Sequence, residues 1–195
     1  ILNLVVSAIA FISYARAGHF RLRLAIPFLI TSMPAAYLGA QISINPTLYK
    51  IILGIMLLIA VLRMLMVGNN DNKETRNPPF AIALGIGLLL GLVSGIIGIG
   101  GGILLSPLLI LARYARIKEA SAAAALFIFL NSASGLAGLM TTKFTFQPEI
   151  IYWIMGVMVA GFAGSAMGSR TFSELNLKRV LSLVLIAASI KLFFF

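Results

Sequence analysis

Residues 79–112 read PFAIALGIGLLLGLVSGIIGIGGGILLSPLLILA, a stretch with no charged residue and with GIGGG at 98–102. A run this apolar is long enough for a membrane-spanning helix, but the adjacent glycines Gly100, Gly101 and Gly102 interrupt it. Each glycine costs a helix about 1 kcal/mol against Ala. The stretch is therefore two helical limbs joined by a glycine turn. The return limb, residues 103–112, reaches only about 15 Å at helical rise, roughly half a hydrocarbon core. The sequence thus predicts a re-entrant hairpin whose turn stops inside the membrane, which requires that it be buried in protein or line a wet cavity.

The rest of the chain supports that setting. Of 195 residues, 61% are hydrophobic and 10% charged, with a net charge of +10. A water-exposed surface needs about a quarter of the residues charged, so most of this surface faces lipid. Apolar runs at 1–14, 24–44, 47–67, 118–140, 149–169 and 175–195 read as six spans, the first cut short. The basic residues sit between these runs as topology signals rather than on a polar face for nucleic acid, and no nucleic-acid partner is expected. The expected class is an all-α polytopic membrane protein with six spanning helices plus the re-entrant hairpin.

Counting Lys and Arg by side tests the hairpin, because cytoplasmic loops carry the excess. If the glycine stretch doubles back, twelve bases fall on one side and only Lys50, Lys143 and Lys191 on the other. If it crosses once, the division is eight to seven. The asymmetry favours the hairpin and puts Arg16, Arg21, Arg76, Arg113, Arg116, Lys118 and Arg170 inside together. Tyr14, Tyr49, Tyr114, Tyr152 and Trp153 sit at span ends, as interfacial aromatics do; Tyr37 does not fit that pattern. Residues 68–79 form a cytoplasmic linker between two halves, 1–67 and 80–195.

The halves are related. An offset of 125 pairs Ser7 with Ser132, Ala8 with Ala133, Ile26 with Ile151, Met33 with Met158, Ala35 with Ala160 and Gly39 with Gly164. The loop between the first two runs is basic and inside, whereas its counterpart at 141–148 holds only Lys143 and lies outside. Opposite orientation makes this an inverted repeat, an architecture of secondary transporters whose broken helices meet near the midplane. On that alignment the hairpin that should precede the first span is missing. With Ile1 inside an apolar run, the chain is expected to be an N-terminally truncated piece.

Chemistry is constrained by what is scarce. With no Cys and one His, there is no thiolate or histidine metal site. His19 lies in a charged loop and cannot serve Ser94 as an intramembrane base, and no Lys follows the glycines as in a phosphate-binding loop. Neither an enzyme, a metal nor a cofactor is expected. All five acids, Asp71, Glu74, Glu119, Glu149 and Glu174, lie in loops or at span ends, so no mid-membrane carboxylate relays protons. Glu119 reads as a helix-start charge.

A small anion can instead be held by backbone. The N–H groups of Gly100, Gly101, Gly102, Ile103 and Leu104 stand at a helix start, where unpaired donors and the dipole favour negative charge. Pro107 removes the partner of the Ile103 carbonyl and loosens the first turn. Ser94 and Ser106 flank the turn; Asn131, Ser132 and Ser134 lie mid-span, and Ser7 is the repeat partner of Ser132. Each has a plainer explanation: hairpin geometry for the glycines, an interhelical hydrogen bond for Asn131, bonding to the preceding turn for the serines. The stripes Gly87, Gly91, Gly95 and Ala160, Gly164, Gly168 are read as helix-packing surfaces.

The segment GLVSGIIGIGGGILLSPLL at 91–109, followed by KEASAAA at 118–124, resembles the sulfite exporter TauE/SafE family. The resemblance covers the whole chain, which departs from the family in lacking a first glycine motif. It implies a multi-pass inner-membrane permease for small sulfur-containing anions such as sulfite, sulfonates or sulfoacetate, working as an exporter. The alternative is a non-transporting scaffold or helix-packing subunit.

Overall fold

A computed structural model describes residues 1–42, 75–141 and 150–173, with single positions among 45–58 and 176–187. Among these residues the chain is wholly helical: α1 (Leu2–Arg16), α2 (Leu22–Ala40), α3 (Phe80–Ile97), α4 (Gly102–Leu111), α5 (Ile117–Met140) and α6 (Ile150–Ala166). A π-helical turn, Met167–Thr171, continues α6. Apart from those single positions, the expected spans at 47–67 and 175–195, and most of the linker, fall outside the described residues.

Local chemistry sets the boundaries. Gly18, at a left-handed φ of +79°, ends the first helix. Pro79 precedes α3, where its fixed φ suits a helix start and its missing N–H costs no helical bond. The glycine turn uses the left-handed region three times, at Gly98, Gly100 and Gly101 (φ +76°, +79° and +70°). An ordinary side chain is disfavoured there. Glu119 accepts the backbone N–H of Arg116 at 3.1 Å and so holds the first turn of α5.

Packing follows small residues. Gly87, Gly91 and Gly95 of α3 face Phe28, Ser32 and Ala36 of α2, and a Cβ added to any of them would run into the facing backbone carbonyl. Thr31 Oγ1 donates to the Leu84 carbonyl along the same seam (2.7 Å). Gly39 of α2 approaches the Leu92 carbonyl equally closely. The long helix α5 lies in the middle, against α1, α2 and α4. Leu24, Phe28, Leu105, Leu109, Ala120, Ala123 and Phe127 form the core between α2, α4 and α5, so the alanine-rich start of α5 lets α4 and α2 approach it.

The second small-residue stripe behaves differently. A Cβ built at Gly164 meets nothing within 4 Å and Ala160 is exposed, so these two positions of the expected packing surface have no partner among the described residues. Gly168 alone is close-packed, against the Tyr14 hydroxyl. Trp153, Val159, Phe162, Leu88 and Leu89 are more than half exposed. With four helices among the described residues long and apolar enough to cross a bilayer, such apolar surface is a lipid-facing one. Tyr37, unexplained by the interface rule, sits where Gly138 packs on its carbonyl.

One end of the bundle is cross-tied by polar contacts. Arg21 reaches Glu119 (3.4 Å) and Thr75 Oγ1 (3.3 Å). His19 Nε2 and Lys118 Nζ lie 3.2 and 3.3 Å from the Ser169 carbonyl at the π-turn. The backbone N–H of Arg76, just ahead of α3, donates to the carbonyl of Arg113, just past α4 (2.8 Å).

Candidate functional site

The glycine turn opens on a cavity of about 570 Å³. Its inner wall is Ser94 and Gly98 at the end of α3, Gly100 in the turn, Asn131 and Ser132 on α5, and Asn3 at the start of α1. Apolar residues, among them Ile1, Ala40, Ile42, Leu136 and Leu139, line the remainder. These are the helix ends remote from Arg16, Arg21, Arg76 and Arg116, so the cavity opens at the end of the bundle opposite the polar ties. No Asp, Glu, Lys, Arg or His side chain lines it among the described residues.

The wall holds polar atoms without partners. Asn131 is 1% exposed, yet neither Nδ2 nor Oδ1 has a hydrogen-bond partner, and Ser132 Oγ is likewise buried and unpaired. Each such group costs about 1–3 kcal/mol when left unmet. Natural structures seldom retain them without a reason such as a bound water, an ion or a ligand. An interhelical bond for Asn131, the plainer sequence expectation, is absent among the described residues. Asn3, which sequence reading passed over, donates from Nδ2 to the Gly98 carbonyl (3.1 Å) and ties the start of α1 to the turn. Nothing in its local sequence signals this, because the partner lies 95 residues away.

Other expected site residues go elsewhere. Gly101 and Gly102 are buried but do not line the cavity. A Cβ at Gly101 would meet Phe127 at 3.0 Å and the Leu90 carbonyl at 3.1 Å, and one at Gly102 would meet Ile128 and the Ala124 carbonyl. Their glycine requirement is thus met by turn geometry and packing. The N–H of Leu104, expected free, donates to the Gly101 carbonyl (3.2 Å). The N–H groups of Gly102 and Ile103 donate to no carbonyl among the described residues, as in any helix first turn. Ser106 and Pro107 lie further along α4, away from the cavity.

Ser7 Oγ donates to the Asn3 carbonyl one turn back (2.5 Å), so this hydroxyl is used locally while its repeat partner Ser132 is not. Ser134 Oγ donates to the Met33 carbonyl (2.6 Å), an α5 to α2 contact. The cavity therefore gathers Ser94, Gly100, Asn131 and Ser132, and adds Gly98 and Asn3. Neutral donors in a low-dielectric wall suit a small polar or anionic solute that sheds water on entry.

Comparison with known proteins agrees with this setting. The family model described as Sulfite exporter TauE/SafE matches residues 1–192. A protein named "Probable membrane transporter protein y4hK" from Sinorhizobium fredii is 29% identical over 195 residues, covering 98% of this chain and 79% of its own length. A "Probable membrane transporter protein" from Xylella fastidiosa is 28% identical over 192 residues, covering 92% of this chain and 71% of its own. No solved structure matches the chain.

Proposed function

This chain belongs to the sulfite exporter TauE/SafE family, a multi-pass membrane transporter and not an enzyme, and we propose that it carries a small sulfur-containing anion of the sulfite, sulfonate or sulfoacetate type outward across an inner membrane. The observation that carries this reading is the cavity at the glycine turn, where the buried, unpartnered Asn131 amide and Ser132 hydroxyl lie beside Gly100. Neutral donors without a fixed cation hold a monoanion and still release it, which a carrier needs.

The transport architecture proposed with it is a re-entrant hairpin of α3 and α4 within inverted halves. The Arg76 to Arg113 hydrogen bond supports the return of the chain to the side it left. The repeat is supported by matching contacts: a Cβ at Gly161 on α6 would meet Val6 and Ile9 of α1 at 3.1 and 3.6 Å. Its counterpart at the 125-residue offset, Ala36 on α2, has its carbonyl 3.7 Å from a Cβ built at Gly135 on α5. That glycine adjoins Asn131 and Ser134, the counterparts of Val6 and Ile9.

The cavity's opening away from the basic end supports an outward-facing form, with the Arg21, Glu119 and Thr75 contacts closing the inner side. Flux of radiolabelled sulfite and of a labelled sulfonate in proteoliposomes tests the reading. Saturable flux of either is expected; no flux of either, in vesicles holding inserted protein, rejects it and favours a scaffold.

A further inference from the structure

We infer that the cavity takes an oxyanion that also carries a hydrogen-bond donor, a hydroxyl or an amino group on its central atom, in preference to one that offers acceptors alone. The inference rests on the anion-transport reading above and specifies the ligand of that site. Its basis is Asn131. The amide has two N–H donors and one carbonyl acceptor, and in this structure both ends are buried and unpartnered. Exchanging the oxygen and nitrogen positions leaves the argument unchanged, because both are unmet.

A fully deprotonated oxyanion satisfies only half of this group. Its oxygens accept from Nδ2, from the hydroxyl of Ser132 and from Ser94, which also lines the wall. Oδ1 would then face an anion with no hydrogen to give, and a buried acceptor would stay unmet beside negative charge. Ser132 does not relieve it, since its hydroxyl makes no bond to the amide. No Lys, Arg or His lines the cavity among the described residues to supply that hydrogen. A monoprotonated oxyanion, or an amino- or hydroxyl-substituted one, completes both ends at once. Sites built to hydrogen-bond one substrate group reject analogues that lack it far more strongly than apolar pockets reject a methylene.

Sulfamate and methanesulfonate test this directly, since both are monoanions of nearly equal shape and differ in an NH₂ where the other has CH₃. Each is used as the probe, by binding to purified full chain in detergent and by competition against sulfite flux in proteoliposomes. The wild-type chain is expected to favour sulfamate by at least about tenfold, and Asn131→Leu to bring the two within about twofold. Asn131→Met serves as a second apolar variant if the first inserts poorly. Equal binding of both anions by the wild type, or a sulfamate preference that survives loss of the amide, overturns the inference while leaving the anion site in place. Binding of neither probe, with no sulfite flux, removes the anion site itself.

Discussion

The backbone N–H of Arg76 donates to the carbonyl of Arg113 across 2.8 Å, which brings the entrance of α3 against the exit of α4. Arg113 adopts a left-handed φ of +58°, the one non-glycine among the described residues to do so, at a cost of about 1–3 kcal/mol. The contact bears on topology because one return limb of ten residues reaches only about half a bilayer. A single Cys at Asn77 and another at Ala112, each in this cysteine-free chain, are expected to be labelled from the same face of oriented vesicles. Labelling from opposite faces would mean that the glycine stretch crosses the membrane.

The two small-residue stripes make opposite forecasts for the same substitution. Gly91→Leu places a side chain into the Ser32 carbonyl and is expected to split α3 from α2, with loss of monodisperse protein in detergent. Gly164→Leu meets open space and is expected to leave assembly intact. Size-exclusion profiles of the two variants check this. Equal damage from both would place an undescribed partner on α6.

Glu119 is paired with Arg21 and bonded to the Arg116 N–H, so its role is to hold the inner end of α5. Gln can keep the hydrogen bond and lose only a partly exposed ion pair, worth about 0–1 kcal/mol. Glu119→Gln is therefore expected to insert normally and to retain transport within a fewfold, with an unchanged pH profile. Abolished flux, or a profile that shifts with the substitution, would make Glu119 a proton carrier.

Much of this could be read from the chain. The glycine run anticipated two joined helical limbs, and the Gly87, Gly91, Gly95 spacing anticipated a close helix seam, because helical period and backbone sterics act locally. Which glycine does what could not be read. Left-handed φ at Gly98, Gly100 and Gly101 and the Ile128 contact at Gly102 depend on how α5 meets the turn. The serines divided too: Ser7 bonds one turn back within its own helix, as the plain reading of a helical serine has it, whereas only the packed helices decide that Ser134 finds a carbonyl on α2 and Ser132 finds none. Asn3 was illegible because its partner is the distant Gly98 carbonyl.

Energetics follows from the absence of an ionisable side chain on the cavity wall among the described residues. A monoanion leaving a cell that is negative inside gains about 2.3 kcal/mol per 100 mV. Efflux from proteoliposomes is expected to accelerate under an inside-negative potassium and valinomycin potential and to persist without a pH gradient. Efflux that ignored the potential and followed only a pH step would reject uncoupled export.

The wall polar atoms are expected to be held for function at the expense of stability. Asn131→Leu removes both unmet ends of a buried amide and keeps its heavy-atom branching, with the adjoining cavity to take the bulk of the methyl groups, so the variant should melt higher than the wild type by an amount corresponding to about 1 kcal/mol or more. A clear drop in melting temperature would show that the amide has a structural partner instead.

The most direct test of the anion cavity is sulfite flux in proteoliposomes carrying equal amounts of wild-type and Asn131→Leu protein. Saturable wild-type flux with a loss of at least about tenfold in the variant, at unimpaired insertion, is the expected result. Equal flux through both would contradict the account and take the site away from the wall between the glycine turn and α5.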